Sequence, residues 1–83
     1  MGSKQWVVYL VRCADNSFYC GVTNDIERRI AEHNTSKKGA KYTRSRRPVS
    51  LIGSVDANSR SEAQSLEAKI KKMKKLEKLT FFS

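Results

Sequence analysis

The chain has 83 residues, enough for one small core and too few for a second. Its 17 Lys+Arg against 8 Asp+Glu give a formal net charge of +9, and 39% hydrophobic residues are too many for a fully disordered chain. These values exclude a multidomain reading of residues 1–83 and point to one basic folded domain. Its expected partner is a polyanion, nucleic acid ahead of an anionic membrane, because Lys and Arg that neutralise phosphates release condensed counterions.

The first residues, Met1 to Gln5, carry no apolar stretch of the signal-peptide kind, and Trp6 stands where a myristoylation signal needs Ser or Thr. A cytoplasmic protein is therefore expected. The longest apolar run, Trp6 to Leu10 with Val11, is strand-sized and far below the roughly 20 residues that cross a bilayer. Residues 6–13 read as a strand, Ala14-Asp15-Asn16-Ser17 as a turn, and Phe18 to Val22 as a second strand, together a β-hairpin. Cys13 and Cys20 fall inside these strands and are expected to be reduced, buried thiols. One histidine and no Cys-x-x-Cys argue against structural zinc.

Asn24 and Glu27 have capping-box spacing, which predicts a helix over about 25–34. Residues 35–48 hold no acid but contain Lys37, Lys38, Lys41, Arg44, Arg46 and Arg47, a basic loop with at most one helical turn. Pro48 bars helix just before it, and residues 49–55 read as a third strand. Ser59 and Glu62 repeat the capping spacing, and Ala63, Leu66, Ile70 and Met73 recur at helical intervals, so a helix is predicted over 60–77. The tail, 77–83, either packs back through Phe81 and Phe82 or frays. The order describes a small α/β (α+β) sandwich, a three-stranded antiparallel or mixed sheet flanked by helices, with its core in about residues 6–76.

Several polar residues lie where chemistry is possible. At 100° per residue, Arg29 and His33 flank the apolar stripe of Ile26 and Ile30, close enough to act on one ligand, while Arg28 points to solvent. An arginine beside a core needs a carboxylate or a bound phosphate. The bland alternative is a snorkelling arginine and a satisfied histidine. Glu67 lies on the rim of the last helix's buried stripe; it is either an exposed partner of Lys71 or a single carboxylate able to hold Mg²⁺ with waters and phosphate oxygens. Tyr9 and Tyr19 share a sheet face only if the turn allows. A two-residue loop sets Tyr9 opposite Val22 and separates the tyrosines, whereas a three-residue loop at 15–17 pairs Tyr19 with Cys13 and unites them.

These residues resemble the GIY-YIG endonuclease superfamily, most closely its small stand-alone bacterial members. Val7-Val8-Tyr9 stands at the GIY position and Tyr19-Cys20-Gly21 at YIG. Arg29 and His33 look like the arginine and histidine of the first helix, Gly39 to Arg44 like the basic segment, and Glu67 like the metal-binding glutamate. Val7 replaces a glycine, Cys20 an isoleucine, and no asparagine follows Asn58. The resemblance implies hydrolysis of DNA phosphodiesters with one Mg²⁺ or Mn²⁺ on Glu67, Arg29 neutralising transition-state charge, and Tyr9, Tyr19 or His33 handling the proton of the attacking water. Lys38, Lys41, Arg44 and Arg46 would hold the flanking backbone by charge, giving affinity without sequence readout.

Three readings follow from the residues. A nuclease accounts for the whole set of tyrosines, arginine, histidine and glutamate. A nucleic-acid-binding module of the same fold with weak or no turnover accounts for the charge. A small basic protein docking on a partner such as ribosomal RNA accounts for charge and size alone.

Overall fold

A computed structural model describes residues 5–82, so the leading Met1 to Lys4 and Ser83 lie outside it. The elements in chain order are β1 (Trp6–Arg12), β2 (Phe18–Thr23), α1 (Ile26–Thr35), α2 (Lys41–Arg44), β3 (Ser50–Ala57), α3 (Arg60–Lys71) and α4 (Lys75–Phe82). The three strands form one sheet in the order β2-β1-β3, and β1 is antiparallel to both neighbours.

Central placement explains why β1 is a continuous apolar run rather than an alternating one: it is covered on both faces. Val8 and Leu10 face a cluster with Cys20, Ala63, Ile70 and Phe82, beneath α3 and α4. Tyr9, Val11 and Cys13 face the other way, against Val49, Tyr19 and the α1 residues Ile26 and Ile30. Cys13 and Cys20 thus belong to opposite layers, and both are free thiols.

The hairpin closes through Ala14, Asp15 and Asn16, one residue earlier than the loop at 15–17. Cys13 and Ser17 pair across it, and Asn16 takes the left-handed conformation at φ 67° that asparagine tolerates. Tyr19 consequently pairs with Val11, not Cys13, and Tyr9 pairs with Gly21. Both tyrosines still fall on one face, because the side-chain period is two.

The first helix also starts one residue later than the Asn24–Glu27 spacing indicated. Asp25 is its N-cap and accepts from the Arg28 amide at 3.3 Å. At its other end Arg47 reaches the carbonyls of Glu32, His33 and Ser36, satisfying groups that a helix terminus leaves open.

Helix α3 begins as expected, with Ser59 capping the Glu62 amide at 3.1 Å. It does not continue to 77. The chain turns at Lys72 to Lys74, and α4 restarts with Glu77 accepting from the Lys74 amide at 2.8 Å. The turn lets the tail fold back as a helix and bury Phe82. Phe82 meets β3 at Gly53, where a Cβ would stand 2.7 Å from the Phe82 carbonyl oxygen.

Candidate active site

Beside the edge strand β2 lies a polar pocket of about 350 Å³ that draws on both layers of the fold. From the sheet come Tyr9, Tyr19 and Gly21, from α1 Arg28 and Arg29, and from α3 Glu67 with Gln64 and Arg60. Of the residues singled out in the sequence, Tyr9, Tyr19, Arg29 and Glu67 therefore line one cavity. Arg28, expected in solvent, has a largely exposed side chain but stands at the pocket's mouth.

The hydroxyl end of the Tyr9 ring fills the space beside its strand neighbour Gly21, and only glycine permits this. A Cβ on Gly21 would fall 2.4 Å from the Tyr9 hydroxyl oxygen. That hydroxyl is 2.7 Å from His33 Nε2, and His33 Nδ1 is 2.8 Å from Thr43 Oγ1. Thr43 donates its one hydroxyl proton to the Ala40 carbonyl at 2.9 Å, so it accepts from Nδ1–H, and Nε2 in turn accepts from Tyr9. The histidine is thus a neutral Nδ1–H tautomer held at both nitrogens. His33 and Thr43 are fully buried behind the pocket rather than in its wall.

Burial sets the protonation states. It pushes Tyr9 up to about 12, against the opposing pull of the Arg29 guanidinium. It pushes His33 down to about 4, with Arg29 again contributing. Both groups are neutral at pH 7. Burial also raises the Cys20 thiol to about 11, and the nearby Glu67 carboxylate adds to this.

Arg29 has the carboxylate partner that its position required. Its Nη1 donates to Glu32 Oε1 at 3.0 Å and to the Lys38 carbonyl at 2.8 Å. Its side chain remains a quarter exposed and reaches the pocket wall. Tyr19 is clamped by rings: His33 edge-on at 5.3 Å and Tyr42 stacked at 5.9 Å. Arg46 lies 4.0 Å over the Tyr42 ring and bridges to Asp15 at 3.0 Å, tying the basic loop to the hairpin turn. Two of the loop cations, Arg46 and Arg47, are thereby engaged in holding the fold. Lys38, Lys41 and Arg44 lie on or beside α2, with exposed side chains.

Thr43, Glu32, Gln64 and Arg60 were not singled out in the sequence. Glu32 is signalled by its i,i+3 spacing from Arg29, and Arg60, Gln64 and Glu67 by their i,i+4,i+7 spacing. Thr43 carries no such signal, because its partner is ten residues away on another helix.

The GIY-YIG catalytic-domain model matches residues 5–80. The chain belongs to that family. Among its relatives, a UPF0213 protein of Desulfotalea psychrophila is 52% identical over 90% of this chain and 68% of its own length. A UPF0213 protein of Cupriavidus pinatubonensis is 45% identical over 94% of this chain and 86% of its own. The solution NMR structure of a UPF0213 protein from Bacillus halodurans matches with TM-score 0.56 at 39% identity, covering 93% of this chain and 81% of that one. The solution NMR structure of an E. faecalis protein matches with TM-score 0.63 at 41% identity, covering 94% and 82%. GIY-YIG domains form a nuclease family that acts on nucleic acid and generally depends on a divalent metal ion. No helix among the described residues is long and apolar enough to cross a membrane.

Among the described residues no three His, Cys, Asp or Glu side chains come together, so there is no all-protein metal cage. The half-buried Glu67 carboxylate at a polar pocket does suit Mg²⁺ or Mn²⁺. Such hard ions accept one or two carboxylates and complete their shell with water and substrate phosphate oxygens. Lys71 sits 3.5 Å from the same carboxylate and would have to yield part of that contact to an ion.

Proposed function

We propose that this chain is a divalent-metal-dependent endonuclease that hydrolyses DNA phosphodiester bonds with little sequence specificity of its own. The observation that carries the reading is the convergence of Tyr9, Tyr19, Arg29 and Glu67, from three different elements, on one polar pocket.

Arg29, oriented by Glu32 and the Lys38 carbonyl, binds the scissile phosphate and neutralises charge that builds on its oxygens. Glu67 holds one Mg²⁺ or Mn²⁺, which when bound polarises the phosphate and stabilises the leaving oxygen. Tyr9 donates its hydroxyl hydrogen bond to His33 Nε2, which turns a lone pair of its oxygen toward the attacking water. As the water oxygen bonds to phosphorus and the ester P–O bond breaks, the water proton passes to Tyr9 and the Tyr9 proton to His33 Nε2. His33 acts from behind Tyr9, and Tyr19 orients the water from the same sheet face. Lys38, Lys41 and Arg44 hold the flanking backbone by charge, and Arg46, tied to Asp15 and Tyr42, holds the loop that presents them.

The Glu67–Lys71 contact favours a second reading, a nucleic-acid-binding module whose one pocket carboxylate among the described residues is paired with a lysine. A cleavage assay on labelled single-stranded, duplex and branched DNA with Mg²⁺, Mn²⁺ or EDTA separates the two. The nuclease reading expects metal-dependent cutting that falls more than about 100-fold in Glu67→Ala. Salt-sensitive binding without metal-dependent cutting would replace it with the binding module.

A further inference from the structure

The pocket is longer than a phosphate site needs. Arg60, Gln64 and Glu67 lie four and three residues apart, on one stripe of α3 within about 60° of arc and spread over roughly 10 Å of helix axis. At the far end of that stripe stands Trp6, half-buried at the start of β1, with the Arg60 guanidinium 5.8 Å from its ring centre. Neither α1 nor the hydrogen-bond chain behind Tyr9 uses this end, and the two tyrosines do not account for it.

The composition of the end is specific. It offers one large aromatic face, one amide with both donor and acceptor, and one guanidinium that meets an indole rather than a carboxylate. With Arg29 in its wall and Arg28 at its mouth, the pocket holds three cations against the single carboxylate of Glu67 among the described residues. A free inorganic anion would use the cations and leave the indole idle. A planar heterocycle attached to a phosphate chain uses all of them, by stacking on the ring and by charge at both ends.

We propose that the Trp6–Gln64–Arg60 end of the pocket is a nucleobase subsite. It takes the base of the nucleotide next to the phosphate held at Arg29 and Glu67. The base takes the place of the Arg60 guanidinium on the pocket face of the Trp6 indole, the Gln64 amide meets its polar edge, and the displaced Arg60 neutralises the phosphate beyond it. The inference rests on the phosphodiester reading of the site and adds a second contact point to it. One consequence is a measurable preference at a single flanking position in an otherwise unselective protein.

Trp6 is the chain's one tryptophan, so its fluorescence reports this end alone. The test titrates the full chain in EDTA with a short single-stranded DNA oligonucleotide, following Trp6 emission and the anisotropy of a label on the DNA together. A companion set carries an abasic residue at each position in turn. The expected result is quenching that saturates with binding and is lost when one particular base is missing. Arg60→Ala and Gln64→Ala, both at exposed positions, should each weaken binding several-fold. Trp6→Leu should weaken it roughly 5- to 100-fold, the worth of one base–aromatic stack, while Trp6→Phe retains most of it. Saturated binding with unchanged emission, or equal quenching by every abasic oligonucleotide, would overturn the subsite. Adding Mg²⁺ or Mn²⁺ afterwards separates the two ideas. Quenching without cutting supports the subsite and removes the nuclease reading, whereas cutting without quenching keeps the nuclease and removes the subsite.

Discussion

The Tyr9 hydroxyl donates to His33 Nε2 across 2.7 Å, and the direction of that bond is set from the far side of the imidazole. Thr43, itself donating to the Ala40 carbonyl, accepts from the Nδ1–H and leaves Nε2 as the acceptor. A residue on the one-turn helix α2 therefore decides which way a pocket tyrosine presents its lone pairs.

Thr43→Val keeps the shape and removes the acceptor, stranding a buried Nδ1–H. It should destabilise the protein by about 1–3 kcal/mol in urea unfolding, and Thr43→Ser should recover most of that. The nuclease reading adds that Thr43→Val lowers cleavage further than its folded fraction explains. A valine variant as stable as the parent would show that the histidine is not held in this tautomer.

The same burial makes stability depend on pH. An unfolded histidine titrates near 6.5, whereas His33 in the folded protein is pushed down to about 4. Between these values the unfolded chain binds a proton that the folded chain does not, so stability rises with pH through that window. The contribution is complete above about pH 6.5 and is lost as pH falls toward 4, on the order of 3 kcal/mol in all. Urea midpoints at about pH 4.5 and about 7.5 should differ more for the parent than for His33→Gln. Equal pH slopes in the two proteins would place the acid sensitivity elsewhere.

The fold was legible where periodicity and caps speak. The apolar run of β1, the stripe of Ile26 and Ile30, and Ser59 capping α3 all stand as read. What escaped depended on contacts distant in sequence or on exact loop length. The tyrosine register turns on Asn16 adopting φ 67°, which moves the loop by one residue and the Tyr19 partner from Cys13 to Val11. The break at Lys72 to Lys74 has no glycine or proline to announce it, and Met73 keeps the helical period running through it. It is driven by burying Phe82 against Gly53, a contact almost thirty residues apart. In the candidate site, helix spacing set Arg29 and Glu67 on the rims of buried stripes with a bland reading open for each, and Thr43 became visible only once α2 was packed on α1.

Gly21→Ala probes the contact between the two paired strands. The new methyl would land 2.4 Å from the Tyr9 oxygen and 2.5 Å from its ring carbon Cζ, and Tyr9 is 1% exposed with its hydroxyl tied to His33. The ring must shift, at a cost of about 1–3 kcal/mol by thermal or urea unfolding. Its ring signals in an NMR spectrum should move together with those of His33. A variant with parent-like stability and unshifted signals would mean the ring is not pinned where the geometry has it.

The basic loop separates charges that build the fold from charges free to bind. Arg46 is held by Asp15 and Tyr42, and Arg47 by the end of α1, whereas Lys41 and Arg44 are exposed on α2. Replacing Lys41 and Arg44 with glutamine should leave the urea midpoint within about 0.5 kcal/mol of the parent. It should also weaken DNA binding and flatten the log–log salt dependence by roughly one to two units, since each lost phosphate contact removes about 0.7–0.9. Replacing Arg47 should do the reverse, lowering stability through the uncapped α1 carbonyls while changing the salt slope less. An unchanged slope in the Lys41/Arg44 variant would move the binding surface off α2, toward Arg28 and Arg60 at the pocket's other rim.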